Sequence, residues 1–377
     1  MSKGLRMNVP MADLQAQHRA LRSELTAAFE QTMDACDFGG LGVTASAFER
    51  ETADYCGAKY GLGVNSGTDA LLLALLAMGV GPGDEIITPP FTFIATGETI
   101  CLAGAIPVFA DIDPRTFNLD PDDAEAKITP KTKVILPVHL FGQLADMTRF
   151  AQIARAHNVA ILGDAAQAIG ALHGSKPLGA WGDANTLSFY PTKNLGACGD
   201  GGMVLTDNDE LAERVKLLRF HGSGGKGYFH KEIGYCSRLD GLQAALLRVK
   251  AQCLPEWNDQ RRLNAAFYAD ALSDLDGLVL PCTELGNHHI FHQYTMRVLN
   301  GKRDALQKHL ASRGVQSAIY YPLPIHLQEA YAFLGYKEGN LPESELASKE
   351  VLSLPVHPEL SREQAEFAAE AVRSFFE

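Results

Sequence analysis

Lys193 sits in a segment that gives an amine unusual chemical possibilities. The stretch Ser188-Phe189-Tyr190-Pro191-Thr192-Lys193-Asn194-Leu195-Gly196-Ala197-Cys198-Gly199-Asp200-Gly201-Gly202 joins two apolar runs and carries four glycines after the lysine. Glycine lets backbone approach a ligand closely. A lysine held in a partly desolvated cleft sheds its proton and attacks a carbonyl to form a Schiff base. The segment is not a nucleotide P-loop, because the lysine precedes the glycines and no Gly-Lys-Ser/Thr follows. Three other places carry compatible chemistry. Ser66-Gly67-Thr68-Asp69 opens a helical pattern, where backbone N–H groups and hydroxyls either cap the helix or receive an anion. Asp164 ends the apolar run Ala160 to Gly163; a carboxylate there is a helix cap or a charged partner in a cleft. Phe93, in Phe91-Thr92-Phe93 after Pro89-Pro90, is a core aromatic or a platform for a flat ring.

The elements that position these residues alternate strand and helix. The patterning predicts strands over 84–88, 106–110, 133–138, 159–162, 186–189 and 203–206, with helices over 71–78 and 147–157. An amphipathic helix is predicted over 11–31. The unit spanning 133–162 reads as strand, helix, strand, whose crossover makes a parallel pair. Such alternation predicts an α/β fold, a mostly parallel sheet with helices on both faces. Ligands of such sheets collect beyond the carboxyl ends of the strands, which is where Asp164, Ser188 and Lys193 fall. After Asp240 a long helical stretch runs to about Leu272, with a break predicted at Pro255. Beyond Gly277 the chain reads as a small α+β unit, with strands over 293–299 and 316–321 and helices over 303–313 and 362–376. The boundary is placed near 250, giving a large domain over 1–250 and a small C-terminal domain over 251–377. A phosphate cradle, a stacking aromatic, a strand-end carboxylate and a Schiff-base lysine together are what pyridoxal phosphate requires, since the carboxylate keeps its ring nitrogen protonated and the ring then draws in electrons.

Composition narrows the class. Hydrophobic residues make up 46% of the 377 and charged residues 21%, a balance that excludes a disordered chain. The formal charge of −12 argues against nucleic acid as a partner but not against anionic small ligands, because a local site is free to be positive. The longest apolar run, Ala70 to Val80, is about half of the roughly 20 residues a membrane span needs. The N-terminus lacks a basic–apolar–small cleavage pattern. Seven scattered cysteines without a Cys-x-x-Cys pair fit a reducing cytoplasm.

At these positions the sequence resembles the DegT/DnrJ/StrS-type sugar aminotransferases. The motifs are SGTDAL (66–71), GVGPGDEIITPPFTFIAT (79–96), DIDPRTFNLDP (111–121), PVHLFGQ (137–143), GDAAQAIGA (163–171), SFYPTKNLGACGDGG (188–202) and SRLDGLQAALL (237–247). They span nearly the whole chain. The resemblance implies a three-layer fold-type-I aminotransferase with shared active sites in a homodimer. It implies that Lys193 binds pyridoxal phosphate covalently and moves the proton, that Asp164 pairs with the pyridine nitrogen, and that Gln167 contacts the ring hydroxyl. Ser188, Gly67 and Thr68 would hold the phosphate, and Phe93 would stack on the ring. L-Glutamate would donate the amino group, leaving pyridoxamine phosphate, and a nucleotide-linked ketosugar would receive it. The family usually reads Asn-Ser-Arg where this chain has Cys236-Ser237-Arg238; the asparagine is expected to reach the neighbouring subunit's phosphate, and cysteine is a weak donor. Arg238 is expected at substrate or phosphate across the dimer or else in a structural salt bridge, and Tyr321 and His326 are expected to line the sugar site or else to be held by packing alone. The motif set looks like the branch that aminates C3. A related sugar dehydratase would replace the lysine, typically with histidine, and a regulatory homologue without catalysis would normally lose Lys193 or Asp164. The cluster His288-His289-x-x-His292 lacks a nearby carboxylate or cysteine to complete a metal set, so no metal is expected.

Overall fold

The computed structural model describes residues 7–224 and 228–376. Its strands are β1 (Tyr60–Val64), β2 (Glu85–Thr88), β3 (Ile106–Phe109), β4 (Thr132–Ile135), β5 (Ala160–Asp164), β6 (Leu172–His173), β7 (Lys176–Pro177), β8 (Ala184–Ser188), β9 (Gly202–Thr206), β10 (Leu278–Val279), β11 (Tyr294–Val298) and β12 (Val351–Leu354). Seven of them form one sheet in the order β1-β9-β8-β5-β4-β2-β3. The pairs β3·β2, β2·β4, β4·β5 and β5·β8 are parallel. β9 alone is reversed, running antiparallel to both neighbours, β8 and β1.

Strand side chains alternate between faces, and here both faces are apolar. Ile87, Ile135, Ile161, Met203 and Leu205 join one core with Phe48, Met147, Phe150 and Leu247 from helices Val43–Cys56, Met147–His157 and Gly241–Ala251. Their strand neighbours Ile86, Val134, Leu162 and Val204 join the other core, with Leu71 to Leu75 of helix Gly67–Ala77 and Leu211 to Leu218 of helix Asp209–Leu218. This two-sided burial explains why the strands read as continuous apolar runs rather than alternating ones.

The expected small unit contains the antiparallel sheet β10-β11-β12. Helix Arg362–Phe376 presents Ala365, Ala368, Ala369 and Val372 to it, spaced as one helix face. Val9 from the N-terminal segment is buried in this core. The helical stretch breaks between Ala251 and Leu254, with Pro255 in the first turn of the second helix, where its missing N–H costs nothing. The N-terminal helix divides at Leu21 into Leu14–Ala20 and Arg22–Ala35. The expected strand over 316–321 does not form. Ala318 makes a single bridge with Ser353, and the chain then leaves the sheet. Ile319, Tyr320 and Tyr321 pack instead against the core of the large sheet, so tertiary packing overrides the extended pattern. No helix among the described residues is long and apolar enough to cross a membrane.

Arg219 ties the edge strand down. It pairs with Glu49, and also donates to the carbonyl of Gly63 at 2.7 Å, with side-chain exposures of 6% and 15% for the ion pair. Arg219→Met leaves the Glu49 charge buried and without its arginine, so urea unfolding should show a loss of about 3–5 kcal/mol. An unchanged unfolding curve would contradict this assignment.

Candidate active site

Asp164 is the last residue of β5, and its register partner on β8 is Thr186. Two residues further along β8 lies Ser188, and the chain then enters the loop that carries Lys193. Parallel strands thus bring the carboxylate and the amine to one edge of the sheet. Asp164 is 5% exposed. Its Oδ2 accepts from the Thr96 hydroxyl at 2.8 Å and its Oδ1 from the Ala166 N–H at 3.2 Å. Burial pushes its pKa up, while those hydrogen bonds and the Lys193 charge pull it down. Lys193 shows the mirror effect: burial lowers its pKa to about 8, with Asp164 pulling the other way. Among the described residues nothing hydrogen-bonds the Lys193 Nζ, so the nitrogen is available for a reaction.

The helix start expected to receive the phosphate packs tightly against β8 and β9. Ser66 caps helix Gly67–Ala77 by accepting from the Asp69 N–H at 3.0 Å. A Cβ on Gly67 would lie 2.7 Å from the Ser188 Cβ, and one on Gly202 would lie 2.3 Å from the Ser66 carbonyl oxygen. Only glycine lets the helix start, with Thr68 in its first turn, approach Ser188 this closely. The loop is held by Lys193 N–H donating to the Tyr190 carbonyl at 2.8 Å and Ala197 N–H to the Phe189 carbonyl at 2.7 Å.

On the opposite side, Gln167 accepts from the Phe141 N–H at 2.7 Å and donates to the Tyr321 hydroxyl at 3.2 Å. Burial raises the Tyr321 phenol's pKa, and the Asp164 charge adds to it. Phe93 precedes helix Ile94–Leu102, remains 57% exposed, and stands 6.4 Å ring to ring from Tyr321. Pairwise interactions therefore link Lys193 to Asp164, Asp164 to Tyr321, and Tyr321 to Gln167 and Phe93, while Gly67, at the helix start that also carries Thr68, packs against Ser188.

Other expected residues have partners of their own. His326 is buried, its Nε2 3.1 Å from Glu345 and its ring beside Tyr336. Its contacts are with those residues rather than with the lysine's surroundings. Arg238 lies over the Phe220 ring and donates to the Cys236 sulfur at 3.1 Å, on the outer face of its segment. Ser237, between them, points inward and donates to Asp69 at 2.7 Å. His289 stacks on Phe291, and His292 contacts Asn194 at 2.9 Å. Sequence reasoning missed Thr96 as the partner of Asp164, and Ser237 as the link to the cradle helix. Neither carries a local signal beyond an ordinary hydroxyl.

A mostly parallel sheet covered by helices on both faces is the architecture of the fold-type-I aminotransferases, and the comparisons agree. The DegT/DnrJ/EryC1/StrS aminotransferase family model matches residues 19–373, and the chain belongs to that family. It is 51% identical over 372 residues to a "Pleiotropic regulatory protein" of Geobacillus stearothermophilus, covering 98% of this chain and 99% of that protein. It is 45% identical to a UDP-N-acetyl-3-dehydro-alpha-D-glucosamine 3-aminotransferase of Acidithiobacillus ferrooxidans, covering 97% of each. The crystal structure of S. venezuelae DesV in complex with a ketimine intermediate superposes with a TM-score of 0.95 at 43% identity, over 98% of this chain and 99% of that one.

The Lys193 shift makes a signed prediction. In the cofactor-free protein, acylation of Lys193 by a small anhydride should rise as pH passes about 8, well below the ordinary lysine value of about 10.4. Above the lower value and below the ordinary one, the unfolded chain holds a proton that the folded chain has lost. The cost of burying this lysine therefore falls as pH rises through that window. Peptide mapping that finds Lys193 titrating like a surface lysine would contradict the assignment.

Proposed function

We propose that this chain is a pyridoxal phosphate-dependent aminotransferase that moves an amino group from L-glutamate to the 3-keto position of a nucleotide-linked sugar. The observation that carries the reading is the Lys193 amine, its pKa lowered to about 8 by burial, set against the buried Asp164 carboxylate and, among the described residues, without a hydrogen bond to its Nζ. The residues fit the cofactor: a buried carboxylate for a protonated ring nitrogen, a cradle that a Cβ would fill, and a free amine. When bound, pyridoxal phosphate supplies an electron sink for the carbon that bears the transferred nitrogen. Ser188, Gly67 and Thr68 would hold the phosphate at a helix N-terminus. Asp164, aligned by Thr96 and the Ala166 N–H, would fix the charge of the ring nitrogen. Gln167 would contact the ring hydroxyl and Phe93 would stack on the ring. Lys193, with a pKa of about 8, is matched to taking up and returning a proton near neutral pH.

Tyr321, beside Gln167 and Phe93, would contact the substrate. The choice of C3 draws on the 3-amination named for the Acidithiobacillus relative and on the motif set of this chain. The reading includes a homodimer. Tyr228, Phe229 and Ile233 are 93%, 79% and 93% exposed, and lead into the outward-facing Cys236 and Arg238, which a second copy would receive at its own cradle. The cysteines of the described residues are all free, which suits the cytoplasm.

The name of the Geobacillus relative favours a second reading, a regulatory protein without catalysis. Retention of Lys193 and Asp164 weighs against it, and Lys193 likewise weighs against a sugar dehydratase. The test is a panel of nucleotide-linked 3-keto and 4-keto sugars with glutamate, products identified by mass and NMR. The expected product is a 3-amino sugar, and Lys193→Ala should lower its formation by about 10²–10⁴-fold or more, the scale of a positioned acid–base group. Cofactor binding without any glutamate-dependent amination would favour the regulatory reading, and full amination by Lys193→Ala would overturn the proposal.

A further inference from the structure

Lys250 is fully buried, at 0% exposure, in helix Gly241–Ala251. Among the described residues it forms no ion pair with a carboxylate. Its ammonium donates to the Gly196 carbonyl at 2.7 Å and meets the His18 Nε2 at 2.9 Å, with the Cys198 sulfur 4.0 Å away. Since Lys250 donates, His18 accepts at Nε2 and is neutral, in keeping with its lowered pKa, which burial causes first and Lys250 second. Packing alone does not account for the charge. A methionine would fill similar space without the cost of desolvating an ammonium.

Gly196 and Cys198 lie three and five residues after Lys193, in its loop. Gln243, on the same helix, binds both backbone groups of Cys198. Its Oε1 accepts from the Cys198 N–H at 2.9 Å, and its Nε2 donates to the Cys198 carbonyl at 3.3 Å. Gln243, Leu247 and Lys250 stand at i, i+4 and i+7, one stripe of the helix. Leu247 packs in the same core as Leu195 and Ala197 of the loop. One helix face thus grips the loop through two polar side chains, with Leu247 of the shared core between them.

We propose that Lys250 and Gln243 are positioning residues: they clamp the far limb of the loop and thereby fix where the Lys193 amine points. The inference rests on the reading of Lys193 as the reacting amine. The clamp acts on backbone, so its loss should alter the aim of Lys193 rather than the affinity for glutamate.

The test uses full-length holoenzyme of wild type, Lys250→Met and Gln243→Leu. The visible absorbance of the bound cofactor is titrated against pH, and the bleaching by glutamate is followed in a single turnover. The clamp predicts that both variants shift the titration midpoint by at least about half a unit. It also predicts bleaching at least about tenfold slower with glutamate KM within about twofold, since small misplacement of a reacting group is costly. Both variants titrating and bleaching like wild type would overturn the clamp. If Lys250→Met does not fold, Gln243→Leu, altered at a partly exposed site, decides on its own. A wild-type protein that shows no glutamate bleaching would instead remove the functional reading, and the clamp with it.

Discussion

A carboxylate and an amine, both pressed into a site that disfavours their charges, are what the rest of the large sheet serves. Asp164 is driven toward its neutral form by burial and held back by Thr96, the Ala166 N–H and Lys193. Lys193 is driven to about 8 by the same loss of water. Neither shift persists without a framework that forbids the side chains from swinging into solvent. That framework is backbone pairing: the Asp164 N–H donates to the Pro137 carbonyl, and its own carbonyl accepts from His139, each at 2.9 Å. A residue held at both main-chain groups has only its side chain left to aim.

The single reversed strand explains why the lysine loop lies where it does. β8 and β9 are antiparallel neighbours, so their connection turns back at the carboxyl end of β8 instead of crossing the sheet. Register then aligns the parts. Ser188 on β8 and Val64 on β1 both pair with Gly202 on β9. The cradle helix begins three residues after Val64. Phosphate cradle, Ser188 and the Lys193 loop therefore meet at one level of the sheet, and Gly202 must be glycine because the Ser66 carbonyl passes 2.3 Å from where its Cβ would be.

Much of this was legible in the sequence. Helices Met147–His157, Arg303–Arg313 and Arg362–Phe376 have the bounds that their apolar spacing predicts, and the break at Pro255 follows from chemistry of the residue itself. Asp164 stood out as a carboxylate ending an apolar strand, and Lys193 as an amine between a hydroxyl-bearing strand end and four glycines. What did not show is what depends on long-range meeting. Residues 316–321 look like a strand, yet only Ala318 bridges, because the two tyrosines are drawn into the larger core. Thr96 and Ser237 reach carboxylates 68 and 168 residues away, a separation that leaves no local trace. His326 has the composition of a site residue but meets Glu345 first.

The most direct measurement of the central claim is reductive trapping. The protein is loaded with pyridoxal phosphate, reduced with borohydride, digested and mapped by mass spectrometry. The account predicts a phosphopyridoxyl group on Lys193, and on no other lysine at comparable occupancy. Labelling of Lys250 or another lysine in its place, or no label at all, would contradict the assignment of Lys193 as the reacting amine.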